Sequence, residues 1–468
     1  MKTLQLICLS GALVSCLNGC KQAGQEEHVP FNVIYILADD LGYGDVGCYG
    51  QKLIKTPHLD EMASQGMLFT QHYAGCTVSA PSRASLMTGL HTGHTLIRGN
   101  KGVKPEGQMP MPEGTYSLGK LFQSCGYATG VFGKWGLGFP GSSSEPGKMG
   151  FDEFYGYNCQ GLAHSYYPDH LWHNQEKVVF PENVDNGRKT YSHDLIHRQA
   201  LQFIKDHRSQ PFFAMLTYTL PHAEINLPHD SIYQLYEDKF EEQPYDKPGS
   251  YYRSEKPHAS FAAMVSRLDM YVGDILAELK QLGLDKNTIV FFTSDNGPHQ
   301  EGGADPAFFN SSGPLRGIKR DLYEGGVRVP MIVWAPKLVK AGSSSDHVCA
   351  FWDMMPTFAE LIGGTIPEKG DGISFLPTLL SKEGQKKHDY LYWEFHEQGG
   401  RQAIRKGDWK LIRQGISSPN GSWLELYNLK DDVHEDTNLI EKQENIAMEL
   451  DKLMNQVRVQ SEIFNFGK

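Results

Sequence analysis

Short apolar runs recur along the 468-residue chain, each ended by a polar or glycine-rich break. Five of them are NVIYILADD (32–40), YATGVFGKW (127–135), FFAMLTYTLPH (212–222), TIVFFTSDNG (288–297) and VPMIVWAP (329–336). They have the length and continuous apolarity of parallel strands buried on both faces. Helical periodicity lies between them. The clearest case puts Phe261, Met264, Val265, Leu268, Val272, Leu276 and Leu279 on one face, with Gly283 as a stop. The alternation predicts an α/β fold, a sheet sandwiched by helices, over 31–369. Stretches 136–195 and 223–257 break the rhythm with Gly, Pro, Tyr and His, and long irregular insertions often wall a binding site. From 370 to 468 the pattern changes. DYLYWEF, QAIRKGDWKLIRQG and LELYNL read as antiparallel strands, and a terminal helix aligns Ile446, Leu450, Leu453, Met454 and Val457. This segment is expected to be a smaller α+β subdomain.

The N-terminus carries a different pattern. Lys2 precedes LQLICLSGALVSCL, an apolar run too short to span a bilayer as a helix. It ends in Leu17-Asn18-Gly19-Cys20, which resembles a bacterial lipoprotein cleavage box. The expectation is a signal peptide over 1–19, lipidation of Cys20 and a tether over 20–30. The mature protein would then be exported and membrane-anchored through lipid alone, periplasmic or on the cell surface. Cys48, Cys76, Cys125, Cys159 and Cys349 remain, with no CxxC spacing to suggest a zinc or redox site. One disulfide is compatible with an oxidising compartment. A formal charge of -11 argues against a broad nucleic-acid surface, and any anion site must be built from local cations.

In an open parallel sheet, ligands bind beyond the carboxyl ends of the strands. Those ends carry Asp39-Asp40, Lys134, His222 and Asp295-Asn296. Crowded carboxylates repel one another and call for a cation. An all-oxygen set of three carboxylates and an amide suits Ca²⁺ or Mg²⁺ better than zinc. TVSAPSRASLMTG (77–89) adds Ser79 just ahead of a predicted helix, where backbone N–H groups favour an anion, with Arg83 one turn in. No His, Asp or Glu stands near Ser79 in sequence to activate it.

Ser79-Ala80-Pro81-Ser82-Arg83, followed by Ser85, Leu86, Thr88 and Gly89, resembles the signature of type I sulfatases, in which the first residue is oxidised to formylglycine. NVIYILADDLGYGDVGCYG, TPHLDEMASQGMLFTQHYA, GKWGLG, TSDNG, LRGIKRDLYEGGVRVPMIVWAP and LYNLKDDVHEDTNL resemble sulfatase segments in the same order, from Asn32 to Leu439. The resemblance implies an alkaline phosphatase-like catalytic domain with a C-terminal subdomain. It also implies conversion of Ser79 by a radical-SAM sulfatase-maturating enzyme. Asp39, Asp40, Asp295 and Asn296, with residue 79, match the ligands of Ca²⁺, which it favours over Mg²⁺. Arg83 matches the brace of the hydrated aldehyde, Lys134 and Lys319 the sulfate-holding lysines, and His222 the general acid. Protonating a sugar alkoxide as it leaves is typically worth about 10²–10⁴-fold.

One position departs from the family. A GKWHLG pattern often carries His where this chain has Gly136, which leaves open the base that breaks down the sulfated intermediate; His164 and His94 are the candidates. The loop GYNCQGLAHSYYPDHLW resembles those of bacterial sulfatases acting on sulfated galactose or N-acetylgalactosamine. Arg98, Asn100, His396, Glu397 and Arg401 are candidate sugar contacts, with ordinary surface or inter-domain packing the equal alternative. Tyr166 and Trp172 could stack on a sugar ring, but core or loop packing is the favoured reading for either. The expected function is an exo-acting sulfatase on sulfated glycans. The alternatives are a phosphate or phosphonate monoester hydrolase on the same scaffold, and a non-catalytic sulfoglycan-binding lipoprotein.

Overall fold

Eleven strands build the larger sheet: β1 (Asn32–Ala38), β2 (Met67–Tyr73), β3 (Ala128–Lys134), β4 (Glu153–Tyr157), β5 (His170–His173), β6 (Glu176–Val179), β7 (Phe212–Thr217), β8 (Thr288–Ser294), β9 (Arg328–Trp334), β10 (Ser343–Ser345) and β11 (Cys349–Ala350). The computed structural model describes residues 30–466; the expected signal peptide, Cys20 and tether up to residue 29 lie outside them. The strand order is β10-β2-β9-β8-β1-β7-β3-β4-β5-β6, with β11 also on β2. Strands β8, β1, β7 and β3 are neighbours and parallel, as their apolar runs predict. VPMIVWAP differs from its expected direction: β9 runs antiparallel to both β8 and β2. The chain leaves β8 at the sheet edge that carries Asp295, loops there, and re-enters at the same edge, so β9 must run back. Strand β2, and β4 to β6 inside the first irregular stretch, are strands that the apolar runs did not reveal.

Alternation within β1 explains its continuous apolarity. Ile34 and Ile36 pack with Ile196, Phe203 and Leu268 from the Ser192–Asp206 and Pro257–Gln281 helices. Val33, Tyr35 and Leu37 face the other way, onto Ala84, Leu121 and Phe358. Both faces are covered, so both sets of side chains are apolar. The predicted helical stripe from Phe261 to Leu279 is buried throughout.

A second sheet runs in simple antiparallel order, β12 (Leu391–Phe395), β13 (Arg401–Lys406), β14 (Trp409–Gln414) and β15 (Trp423–Asn428). QAIRKGDWKLIRQG is the β13–β14 hairpin, turning through Gly407 at φ +59°, a conformation that favours glycine. The helix Glu444–Gln456 buries Ala447, Leu450 and Met454 on one face of this sheet. Trp393, Ala403 and Ile412 pack toward the first sheet against Tyr73 and Trp352. Buried charge joins the two sheets. Lys410 Nζ is 2.9 Å from Glu324 and 3.0 Å from Glu435, and Tyr73 donates its hydroxyl to Glu324. The five described cysteines are free thiols.

Candidate active site

Parallel pairing sets the site. Ala38 is in register with Ser294, so Asp39-Asp40 and Asp295-Asn296 leave the sheet side by side. Asp295 N–H donates to Ala38 O at 3.0 Å, and Asp39 N–H to Leu220 O at 3.2 Å, which brings in the turn carrying His222. Lys134 ends β3 one strand beyond β7. The helix Ser79–Thr88 meets this edge with its first turn. Ser82 Oγ donates to Asp295 O at 2.5 Å, and Gly89 closes the helix at φ +71° with an N–H bond to Ser85 O. Ser79 is thus the first residue of the helix rather than the one before it.

Four side chains interlock around Ser79. Its hydroxyl donates to Asp39 Oδ1 at 3.0 Å and accepts from Lys134 Nζ at 3.2 Å, while Lys134 Nζ is 2.5 Å from Asp39 Oδ2. Arg83 donates twice to Asp295 Oδ2, at 3.1 and 3.0 Å, and once to Lys134 O at 2.8 Å. Asn296 Nδ2 donates to Asp40 Oδ1 at 2.7 Å, and Lys319 Nζ to Asp40 Oδ2 at 2.8 Å. Lys319 also reaches Glu301 at 3.1 Å and His222 Nε2 at 3.2 Å. His222 Nδ1 donates to Ala223 O at 2.5 Å, so Nε2 is the acceptor in the neutral ring.

The electrostatics follow from burial and these partners. Burial favours a neutral Asp39, but Lys134, His222, Arg83 and Lys319 hold its carboxyl well below the usual range. Burial, then Asp39, pushes Asp295 up to about 7 against Arg83 and Lys134. Burial and Lys319 push His222 down to about 3, and burial and Lys134 push His164 down to about 4. Asn296 Oδ1 is buried without a hydrogen-bond partner. An orphaned amide oxygen among three buried carboxylates is a fitting donor set for a hard divalent cation.

Ser79 lies at the buried end of a cavity of about 720 Å³, walled by His222, Lys319, His164, Tyr251 and the 102–108 loop. Of the candidate sugar contacts and release bases, Asn100, His164 and Glu397 line it. His94, Arg98, His396 and Arg401 do not. His94 Nδ1 sits on Asp371 at 2.8 Å. Arg98 and His396 both bond Glu394, at 2.9 Å each. Arg401 donates to Arg320 O and, at 3.0 Å, to Asp321 Oδ1, so it braces the cavity wall from behind. Tyr166 is fully buried, and Trp172 donates to Glu106 at 2.9 Å; neither lines the cavity. Gly136 adopts φ +72°, and a Cβ there would come within 2.7 Å of Gln160 Nε2. The room a histidine would take is held by Gln160, which lines the cavity. Sequence reasoning missed Glu301 and Arg320, which pair at 2.5 Å on the wall. Their one signal was proximity: both lie in the loop that follows Asn296.

Comparison with known proteins identifies the family. Residues 31–364 match the family described as Sulfatase, and residues 318–460 the C-terminal region of N-sulphoglucosamine sulphohydrolase. The N-acetylgalactosamine-6-sulfatase of Rattus norvegicus is 32% identical over 375 residues, covering 75% of this chain and 66% of that protein. The N-acetylgalactosamine-6-O-sulfatase of Bacteroides thetaiotaomicron is 28% identical, covering 95% of this chain and 97% of its own length. Among solved structures, Ps i-CgsB in complex with k-i-k-neocarrahexaose superposes with a TM-score of 0.78 at 29% identity, over 91% of this chain and 92% of that one.

Proposed function

The chain belongs to the sulfatase family and is a sulfuric ester hydrolase, and from that premise we propose that it removes sulfate from a terminal galactose or N-acetylgalactosamine residue of a glycan. The sugar class is supported by what its relatives are called, two of them N-acetylgalactosamine-6-sulfatases of different organisms. One observation carries the reading: a buried serine hydroxyl, ringed by Arg83, Lys134 and Lys319, at the end of a cavity with His222 on its wall.

An unmodified Ser79 is a poor nucleophile here, because no neutral base stands beside it: its acceptor, Asp39, is ion-paired to Lys134, which also donates to the serine hydroxyl. Oxidation of Ser79 to formylglycine by a radical-SAM sulfatase-maturating enzyme, with loss of two hydrogens, would supply a hydrated aldehyde with one hydroxyl to attack sulfur and a second to expel sulfate. Asp39, Asp40, Asp295 and Asn296, with residue 79, would hold Ca²⁺ ahead of Mg²⁺, adding positive charge against the anionic ester; the convergence of Asp39 and Asp40 and the unpartnered Asn296 Oδ1 support this. Lys134 and Lys319 hold the sulfate oxygens, and Arg83 fixes Asp295 and the Lys134 backbone. His222 gives its Nε2 proton to the leaving sugar oxygen; a bound anionic ester beside it favours the imidazolium that donates. His164, stacked on His222 with ring centroids 5.3 Å apart, is the cavity histidine available to the release step in place of a residue at 136. Asn100 and Glu397 contact the sugar, and Arg401 holds the Arg320 wall. Export and anchoring through Cys20 would put the enzyme where polymeric glycans are met.

The test is sulfate release from position-defined sulfated galactose and N-acetylgalactosamine by enzyme purified from its native host. Ser79→Ala should release none while still binding substrate, and Asp295→Ala should lose bound calcium by elemental analysis. Turnover by Ser79→Ala, or faster hydrolysis of the matching phosphate monoesters, would overturn the reading.

A further inference from the structure

A second cavity of about 370 Å³ adjoins the first, and the two share His164 and Tyr251. That shared pair lies beside His222, with ring centroids 5.3 and 6.1 Å away. His222 faces the oxygen that leaves with the sugar, so the glycan continues on this flank, toward the second cavity.

The lining of this cavity sets Arg188 and Glu224 among groups that both donate and accept. The Arg188 guanidinium lies between the rings of Tyr167 and Tyr252, 4.3 and 3.8 Å from their centroids. Two aromatic faces fix its plane, so little freedom is left to lose on binding. Its Nη1 is 3.1 Å from Glu224 Oε2, and its Nη2 is buried without a hydrogen-bond partner. Glu224 is the only carboxylate in the lining among the described residues. Its Oε1 accepts from Ser165 Oγ at 3.0 Å and from Tyr166 N–H at 2.8 Å, while Oε2 is ion-paired to Arg188 and accepts no hydrogen bond. Arg188 Nη2 and Glu224 Oε2 are the two side-chain atoms of this wall left buried without a hydrogen-bond partner, and of the two the guanidinium donor matches the oxygens of an anion.

We propose that the second cavity is a subsite for the neighbouring residue of the glycan, and that this residue carries an anionic group, a sulfate or a carboxylate, read by Arg188. The proposal rests on the carbohydrate sulfatase reading above. The enzyme is then selective for multiply charged glycans, and an isolated sulfated monosaccharide fills only half of its binding surface.

Four substrates test this with the matured, full-length enzyme: a sulfated monosaccharide, and disaccharides in which the same sulfated sugar is joined to a neutral, a sulfated or a carboxylated neighbour. Wild type should show kcat/KM roughly tenfold or more higher for a charged disaccharide than for the neutral one. The better of the two charged arms identifies the anion. Arg188→Gln should erase that preference and leave the monosaccharide rate unchanged; Arg188→Lys should restore part of it. Equal wild-type rates on neutral and charged disaccharides would overturn the proposal, whether or not the variants fold, and so would an equal loss on all four substrates in Arg188→Gln. Failure on the monosaccharide as well as the disaccharides would instead overturn the sulfatase reading beneath it.

Discussion

Tyr166 illustrates how a residue far from the reacting atoms sets their geometry. Its hydroxyl is 2.8 Å from Thr219 O and 2.9 Å from His222 O, so it ties down the turn that presents the imidazole. A substrate whose leaving group needs little protonation should not notice this tie. Tyr166→Phe is therefore expected to lower kcat on a sugar sulfate about tenfold, with KM little changed, and to leave hydrolysis of an activated aryl sulfate near wild type. An equal loss on both substrates would mean that the tyrosine serves only the fold. At this scale the sequence was legible where chemistry coincides with a strand end. Asp39, Lys134 and Asp295 sit where buried apolar runs stop, and Ser79 opens a helix marked by Pro81 and Gly89. Glu301, Arg320, Gln160 and Arg188 were not legible, because each lies in a loop without periodicity and acquires its meaning from a partner distant in sequence. For Tyr166 the sequence allowed a sugar platform but favoured core packing, and the structure buries it.

Among elements, apolar runs revealed the four central strands but not every direction or edge. β9 is as apolar as the parallel strands of the sheet, since burial on both faces erases any mark of orientation, and only the path of the 295–327 loop reverses it. β4 to β6 are short and lie at the sheet edge, where half-exposed positions dilute the pattern. Lys410, in the middle of β14, would be read as a solvent-facing residue of a hairpin. It is instead completely buried between Glu324 and Glu435 and joins the two sheets. Burial and Glu324 push Glu435 up to about 7 even with Lys410 present. Lys410→Met would leave Glu435 without its cation and facing Glu324, which would keep only Arg328 at 3.3 Å. Chemical denaturation should find the variant less stable by roughly 3–5 kcal/mol, and Glu324→Gln in the same chain should restore part of that loss. Unchanged stability would show that the pair tolerates burial without the lysine.

The whole molecule reconciles a net charge of -11 with an anionic substrate by sorting its charges. Arg83, Lys134, Lys319 and Arg320 converge at one edge of the large sheet, carried there by three different segments. The second sheet closes the cavity from the side through Glu397 and the Arg401 brace on Arg320. All of this organisation has one purpose if residue 79 is a matured nucleophile, and little if it remains serine. The most direct measurement is the mass of the tryptic or chymotryptic peptide containing residue 79, taken from active enzyme of the native host. The account predicts a peptide lighter by two hydrogens, reactive toward a carbonyl reagent. Active enzyme whose peptide carries the full mass of serine would contradict it.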